Sequence, residues 1–257
     1  ILACTTYYYC CIFIHIYTYI MSSKKKILVF TATFNEKENI HKLINKIIKF
    51  NPQVHILVVD DNSPDGTCHI IKKLQKKFKN LYLISRKKKE GLDSAHKLGY
   101  NYAIKKKYDF LITMDADLSH DPKKIKNFIK YLPNYNFVIG SRYIKGGKCL
   151  MKGRRLFLSK YGNLIIRKIL GINLTEFTTS YRGFNIKKLN QFTLNKVKTR
   201  GYSFFMGTVF EIYNRCYSIK EIPIIFKDRT SGVSKIPKLE IIRTLKNLFI
   251  IWIKKRL

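Results

Sequence analysis

The chain has 257 residues, 46% of them hydrophobic, so it can form one large domain or two small ones around a substantial core. This composition excludes a disordered chain. The 50 Lys and Arg residues against 16 Asp and Glu residues give a formal net charge of +34, which attracts nucleic acid, anionic lipid head groups or phosphorylated substrates. Compositional bias explains the charge equally well, because Lys, Asn, Ile, Tyr and Phe are all abundant. Charge alone therefore does not decide the function.

The six cysteines show neither the spacing of a zinc site nor a disulfide framework. They are Cys4, Cys10, Cys11, Cys68, Cys149 and Cys216, with no C-x-x-C pair among them. We therefore expect a reduced chain that faces the cytosol.

The first 20 residues form an uncharged hydrophobic segment that is long enough to cross a bilayer. A spanning segment would leave the lysines at 24–26 on the cytoplasmic side. Its Tyr and Thr content and the lack of an initiating Met before Met21 favour another interpretation, a stretch that is not native to the protein. The basic leading region of a secretory signal is also missing.

From Ile27 onward, short β-branched segments alternate with longer amphipathic stretches. Strands are predicted over residues 27–33, 54–60, 81–85 and 110–115. Helices are predicted between them: one that Asn35 caps with Glu38 at capping-box spacing, one over residues 67–79, and one from Asp93 to Lys106. This alternation predicts an α/β fold with a mostly parallel central sheet flanked by helices.

Acidic residues concentrate behind three of these strands. Eight of the 16 acids form three clusters: Glu36 and Glu38; Asp60, Asp61 and Asp65; Asp115, Asp117 and Asp121. The carboxyl ends of parallel strands converge on one edge of a sheet, so we expect the three clusters to meet there. Such an oxygen-rich site favours Mg²⁺ or Mn²⁺ that bridges to a substrate phosphate.

The glycine-rich phosphate-binding motifs are missing from the sequence. Neither G-x-x-x-x-G-K-[ST] nor G-x-G-x-x-G follows the first strand. A bound nucleotide must then be held by strand ends and a metal ion, which is the arrangement of a sugar-nucleotide transferase.

Five segments resemble a known family in their order and spacing. They are TATFNEKENI, VVDDNSPDGT, MDADLSHDP, GSRY and FKDRTSGVSK, and together they extend from about Lys26 to Lys235. They resemble the dolichyl-phosphate mannose synthases, inverting glycosyltransferases of family 2. The resemblance implies a Rossmann-like GT-A catalytic domain over residues 21–237. It also implies transfer of mannose from GDP-mannose to dolichyl phosphate, for glycosylation and GPI-anchor synthesis.

The resemblance assigns roles residue by residue. The guanine and ribose loop matches Ala32, Phe34 and Glu36, with Val58 and Asp60 from the second strand; the metal and diphosphate site matches Asp115, Ala116 and Asp117; the cations on the donor and acceptor phosphates match Arg142, Arg229 and Lys235. A lipid phosphate is already ionised and needs no strong general base. Catalysis therefore falls to a metal ion on the aspartates and to the two later cations, which neutralise the departing diphosphate.

Three positions depart from the family pattern. Ala32 and Phe34 stand where Pro-x-Tyr is frequent, which removes a hydroxyl group and some rigidity. Ser119 stands where some members have a metal-ligating Gln. Glu176 stands where an Asp is common and is one methylene longer.

Two further segments bear on membrane association and closure. Residues 143–155, rich in Gly and cations, are expected to form a mobile loop over the donor phosphates, with a solvated linker as the alternative. Residues 238–257 predict a basic amphipathic helix that lies on a membrane surface, docks on the domain, or binds small membrane-embedded regulatory subunits. The resemblance places the enzyme at the cytosolic face of the endoplasmic reticulum membrane, as a peripheral protein.

Three alternatives remain open. Within the same class, a dolichyl-phosphate glucose synthase or another polyprenyl-phosphate glycosyltransferase would use a different donor. A basic nucleic-acid-binding protein would account for the charge but not for acidic clusters at strand ends, so we expect no nucleic-acid partner. A scaffold without activity would have no need of Asp115, Asp117, Arg229 and Lys235.

Overall fold

The computed structural model describes residues 25–228 and 240–256. The hydrophobic segment over residues 1–20 lies outside these residues, as do Arg229 and Lys235, so their predicted properties stay predictions.

A seven-stranded sheet organises the chain, in the order β3-β2-β1-β4-β7-β5-β8, and β6 and β9 form a separate pair. The strands are β1 Ile27–Thr33, β2 His55–Asp60, β3 Leu81–Ser85, β4 Phe110–Thr113, β5 Phe137–Ser141, β6 Lys148–Cys149, β7 Arg182–Asn185, β8 Ile219–Pro223 and β9 Ile225–Phe226. Strand β7 is antiparallel to both of its neighbours, and every other pairing in the sheet is parallel. The predicted mostly parallel α/β sheet is confirmed.

Helices cover both faces of the sheet. They are α1 Lys37–Phe50, α2 Thr67–Lys77, α3 Leu92–Lys105, α4 Ile125–Tyr131, α5 Gly153–Leu170, α6 Ser203–Asn214 and α7 Glu240–Arg256. Successive residues of a strand point to opposite faces, so Leu28 and Phe30 of β1 join one core cluster and Val29 joins the other. Both clusters are buried, which explains the uninterrupted apolar run of this strand.

The predicted capping box at Asn35 is wrong. Asn35 has a left-handed φ of 57°, and Glu36 is the N-cap of α1, without a side-chain cap of its own. The next loop caps the helix instead, because the backbone N–H of Glu36 donates to Thr67 Oγ1 at 3.0 Å and that of Lys37 donates to Asp65 Oδ2 at 3.0 Å. This cap binds the loop after β1 to the loop after β2.

The mobile loop predicted over residues 143–155 is wrong in its second half. Strand β6 pairs in parallel with β9, and helix α5 already begins at Gly153. The Arg155 guanidinium also pairs with the Asp228 carboxylate at 3.0 Å. The segment is thereby joined to the chain just before Arg229.

Helix α7 confirms that residues 238–257 are largely helical, and it docks on the domain. Leu248 and Ile251 are buried between α5 and α6, and the Asn247 side chain donates to Ser203 Oγ at 3.0 Å. Among the helices within residues 25–228 and 240–256, none combines the length and apolar character that crossing a bilayer requires.

Candidate functional site

The turn that follows β4 carries the two aspartates predicted to bind metal. The side chain of Asp115 is 36% exposed, whereas Asp117 is 8% exposed. Leu118 adopts a left-handed φ of 64°, a conformation that costs a leucine of order 1–3 kcal/mol and is frequent at functional sites. The turn lets the backbone N–H of Ser119 donate to Asp117 Oδ1 at 3.1 Å, which orients this carboxylate.

His120 and Ser180 support the same turn. The hydroxyl group of Ser180 donates to Asp115 Oδ1 at 2.5 Å, and the backbone N–H of Asp115 donates to His120 Nδ1 at 3.1 Å. This bond assigns the imidazole proton to Nε2, which lies 3.3 Å from Thr179 Oγ1. Burial lowers the pKa of His120, against the opposing effect of Asp115 and Asp117, so the ring is neutral.

Arg142 lies at the same edge, where it is bound to Glu176. The Arg142 guanidinium donates from Nε and from Nη2 to the two oxygens of Glu176, both at 2.7 Å. Burial acts to raise the pKa of Glu176, but Arg142 and the Thr178 hydrogen bonds outweigh it and hold that pKa below its usual value. The backbone N–H of Thr179 also donates to Glu176, at 3.2 Å. Thr179 therefore links this ion pair to His120.

The acids behind β2 are used inside the fold. Asp60 is fully buried and accepts hydrogen bonds from the hydroxyl groups of Thr33 at 2.7 Å and Ser63 at 2.6 Å. Asp61 forms an ion pair with Arg86. In the part of the chain that the structure describes, no three His, Cys, Asp or Glu side chains are grouped to hold a metal ion. The acids behind β1 and β2 therefore do not add a third ligand to a metal site among these residues, and the predicted pair, Asp115 and Asp117, is left as the candidate.

The residues assigned to guanine and ribose line the ends of β1 and β2. Ala32 and Phe34 are half-buried, and the Nζ of Lys89 lies 4.2 Å from the centre of the Phe34 ring. Glu36 accepts from the Asn39 amide at 2.9 Å. Val58, in contrast, lies within β2, paired with Thr31 of β1 and Leu83 of β3, and is fully buried in the core.

A divalent cation fits the residues behind β4. The hydroxyl oxygen of Ser119 is buried and has no hydrogen-bond partner among the described residues. With the carboxylates of Asp115 and Asp117, it belongs to the hard oxygen donors that Mg²⁺ and Mn²⁺ prefer. Two carboxylates also match the way such ions bind, with substrate phosphates supplying further ligands.

The chain leading to Arg229 passes beside this turn. The backbone N–H of Lys227 donates to the carbonyl oxygen of Ser119 at 3.1 Å, and Phe226 packs against His120 with ring centres 5.5 Å apart. No sequence pattern assigned a role to His120 or Ser180. The only sequence signal for His120 is its place five residues after Asp115, within the quoted motif.

Comparisons with known proteins agree with this architecture. Residues 28–193 match the family described as Glycosyl transferase family 2. A polyprenol monophosphomannose synthase from Mycolicibacterium smegmatis is 35% identical over 214 residues, covering 82% of this chain and 81% of that protein. An undecaprenyl-phosphate mannosyltransferase from Micrococcus luteus is 32% identical over 211 residues, covering 82% of this chain and 87% of that protein.

Solved structures share the fold at lower identity. Glucosyl-3-phosphoglycerate synthase from Mycobacterium tuberculosis, in complex with phosphoglyceric acid, has a TM-score of 0.64 at 15% identity and covers 90% of this chain and 79% of its own. A mannosyltransferase from Pyrobaculum calidifontis, in complex with GDP-Man and Mn²⁺, has a TM-score of 0.56 at 16% identity, with coverages of 90% and 64%. This likeness confirms the GT-A fold.

Proposed function

Because the chain belongs to glycosyl transferase family 2 and is a glycosyltransferase, we propose that it transfers mannose from GDP-mannose to dolichyl phosphate or a related polyprenyl phosphate. The observation that carries the proposal is the identity of 35% and 32% with two enzymes named for mannosyl transfer to polyprenyl lipids. The similar mannosyltransferase structure that contains GDP-Man and Mn²⁺ supports the donor and the metal class. In this proposal the product serves glycosylation and GPI-anchor synthesis.

The donor diphosphate lies over the turn behind β4 in this proposal. Asp115 and Asp117 would hold Mg²⁺ or Mn²⁺, and Ala116 between them belongs to the same diphosphate site in this proposal. The bound ion supplies positive charge to the diphosphate. Arg142, fixed by Glu176, adds a cation at the same edge of the sheet.

Mannosyl transfer to a phosphate depends more on stabilising the leaving group than on a general base. A phosphomonoester has its second pKa at about 6, so the acceptor phosphate is largely ionised at neutral pH and attacks the anomeric carbon directly. One in-line displacement inverts that carbon and gives a β-mannosyl lipid. Negative charge grows on the departing GDP, and Arg229 and Lys235 are proposed to neutralise it.

We further propose that the reaction takes place at the cytosolic face of the endoplasmic reticulum membrane, with the enzyme as a peripheral protein. A lipid acceptor supports this place, as do the free thiols of Cys68, Cys149 and Cys216. Small membrane-embedded subunits are further proposed partners, because the sequence resembles the mannose synthases that such subunits hold at the membrane.

Incubation with a panel of donors tests the proposed function. The protein is mixed with Mn²⁺, a short polyprenyl phosphate and labelled GDP-mannose or UDP-glucose, and the lipid product is extracted. We expect mannolipid from GDP-mannose, a β linkage by NMR, and no product after EDTA treatment. Transfer from UDP-glucose alone would instead establish the rival glucosyl function, and an α linkage would contradict inversion.

A further inference from the structure

Exposed large apolar side chains are concentrated on two helices. Of the 16 such side chains within the described residues, 12 lie on α5 and α7. Scattered exposed apolar residues are normal on any protein, but a contiguous patch marks an interaction surface. The two helices also contact each other, and the exposed Ile169 of α5 lines the same cleft as Trp252 of α7.

Helix α5 has two apolar sides. One is buried against the domain through Asn163, Ile166 and Leu170. The other is open to solvent and consists of Phe157, Leu158, Tyr161, Leu164, Ile165 and Ile169, with exposures between 39% and 58%. Helical spacing of these residues makes them one continuous stripe.

Helix α7 repeats this arrangement. Leu248 and Ile251 face the domain and are 3% and 5% exposed. The opposite side carries Ile241, Ile242, Leu245, Phe249, Ile250 and Ile253, with exposures between 39% and 64%. A helix that only packs on its own domain has no use for this second apolar side.

Both helices are strongly basic. Helix α5 contains five Lys or Arg residues and no acid, and α7 contains five Lys or Arg residues and one acid, Glu240. Where the helices meet, Lys168, Ile169 and Gly171 line a cleft of about 270 Å³ with Trp252 and Lys255. Cations next to a tryptophan and aliphatic chains are typical of segments that lie at the level of lipid head groups.

This surface is directly connected to the site. On the buried side of α5, Asn163 Oδ1 accepts from the backbone N–H of Phe177 at 2.7 Å, and Ser159 Oγ bonds to the hydroxyl group of Tyr143 at 2.7 Å. Residues 176–179 hold Arg142 and contact His120. The helix that offers its outer side to a partner therefore supports the site with its inner side.

We propose that the exposed sides of α5 and α7 form one docking surface for an anionic lipid bilayer. The apolar stripes enter the head-group boundary, and the cations lie against the lipid phosphates. A second copy of the chain is a poorer occupant, since symmetric pairing sets the cations of one copy against those of the other. The inference rests on the proposed function, because that function has a lipid acceptor. Vesicle binding is measured without a sugar donor, so the docking surface can be disproved while the proposed function still holds, and the reverse.

Vesicle flotation tests the docking surface. The full chain is floated with phosphatidylcholine vesicles, with or without phosphatidylglycerol, at low and high salt. We expect binding only to the anionic vesicles, weakened by salt. The double variant Leu164→Glu/Leu245→Glu should bind at least about tenfold more weakly, because two apolar contacts are replaced by charges that the anionic surface repels.

A matched double variant controls for added negative charge. Ile104→Glu/Tyr213→Glu alters side chains that are 44% and 42% exposed but lie outside both helices, so it should float like the wild type. Deletion of α7 is a worse test, because it uncovers the contacts of Leu248 and Ile251 with the core. Both variants should keep the wild-type circular dichroism spectrum and transfer to a short, soluble acceptor.

Three results would overturn the docking surface. One is wild-type protein that does not bind anionic vesicles. Another is equal vesicle binding by the two double variants. The third is a wild-type dimer, measured by light scattering without vesicles, that becomes a monomer in Leu164→Glu/Leu245→Glu but not in the control variant. That result would assign the surface to a second copy of the chain.

A separate observation concerns the turn behind β4. His120 is 1% exposed, and its Nδ1 accepts the backbone N–H of Asp115 while its Nε2 lies at Thr179 Oγ1. Its ring packs on Tyr181, with centres 4.8 Å apart. We infer that His120 is a positioning residue, which fixes the backbone of Asp115 so that the carboxylates of the turn are preorganised for a divalent cation.

Manganese binding tests this role without any turnover. Wild type and variants are titrated with Mn²⁺ in the presence of GDP and followed by electron paramagnetic resonance. His120→Phe keeps the ring but removes the acceptor, and should weaken Mn²⁺ binding about 10- to 100-fold. His120→Asn, whose Oδ1 replaces Nδ1 as acceptor, should recover most of the affinity.

The rescue separates positioning from a merely structural role. If His120→Phe binds Mn²⁺ as the wild type does, or if His120→Asn is as weak as His120→Phe while both stay folded by circular dichroism, the inference is wrong. Absence of Mn²⁺ binding in the wild type would remove this inference together with the proposed metal site, but would leave the vesicle result untouched.

Discussion

Arg142 and Glu176 form a two-point ion pair at the edge of the sheet, with both nitrogen–oxygen distances at 2.7 Å. Arg142 is 7% exposed and Glu176 is fully buried. Nη2 of Arg142 donates to Thr178 Oγ1 as well, at 2.9 Å. Nε and Nη2 are therefore used by hydrogen bonds to other described residues, and Nη1 is the nitrogen that can donate to a ligand. The pair thus fixes the direction from which Arg142 can contact a phosphate.

Replacing Glu176 with Gln should destabilise the fold strongly. The change leaves the buried Arg142 cation without its countercharge, which costs about 3–5 kcal/mol in comparable buried pairs. Urea unfolding measures the loss. Lys187→Gln is the matched control, because it breaks the ion pair between Lys187 and Asp109. The Lys187 side chain is 73% exposed, so this variant should lose only about 0–1 kcal/mol of stability. Equal losses in the two variants would contradict a structural role of the buried pair.

Acid should destabilise the wild type through the same residue. The pKa of Glu176 in the folded protein lies below its usual value of 4.5, because Arg142 and Thr178 outweigh the effect of burial. A lowered folded-state pKa stabilises the fold above the unfolded-state pKa, and this contribution is lost as pH falls toward the folded-state value. Urea unfolding from about pH 7 to about pH 3 should therefore show a smaller loss of stability in Glu176→Gln than in the wild type. Parallel curves would contradict the assignment.

Asp117→Asn should abolish transfer and keep the fold. Asparagine retains an oxygen that can accept the N–H of Ser119, so the turn is preserved, but the charge that attracts a divalent cation is gone. We expect turnover to fall by about 10²–10³ or more, and EDTA to have the same effect on the wild type. Activity that survives both treatments would exclude metal binding by Asp117.

The fold was predictable where strands are apolar on both sides. The strand at residues 27–33 was predicted at its observed bounds, because both of its faces enter a core. Strand β7, Arg182–Asn185, was not predicted, since a buried arginine is a poor strand signal. Arg182 is tolerated there because its guanidinium donates to the carbonyl oxygens of Thr179, Phe205 and Phe177 at 2.7–2.8 Å.

The sequence predicted only those site residues that are close together along the chain. Asp115 and Asp117 are recognised by their place at a strand end, which the sequence displays directly. The contact of His120 with Thr179 joins residues 59 positions apart, and the pair of Arg142 with Glu176 joins residues 34 positions apart. Such contacts depend on the packing of loops against one another, so no local sequence pattern predicts them.

Ser119→Ala tests whether the Ser119 hydroxyl group is a metal ligand or only a structural group. Its hydroxyl oxygen is buried without a partner among the described residues, so its removal should cost little stability or even increase it. If the oxygen contributes to the metal site, the variant should bind Mn²⁺ more weakly while its melting temperature stays at or above the wild-type value. Unchanged Mn²⁺ affinity would exclude Ser119 from the site.

Arg229→Ala should slow turnover more than it weakens donor binding. Arg229 and Lys235 lie outside the described residues, but the chain before them is held at the turn behind β4 by Lys227. The charge that they are proposed to meet grows as the bond between sugar and phosphate breaks, so kcat should fall by about 10²–10³. Calorimetry with GDP-mannose should show a smaller loss of affinity. Arg229→Lys should rescue only in part, because an ammonium group cannot form the two parallel hydrogen bonds of a guanidinium. Weak donor binding with normal turnover at saturation in both variants would instead assign Arg229 to ground-state binding.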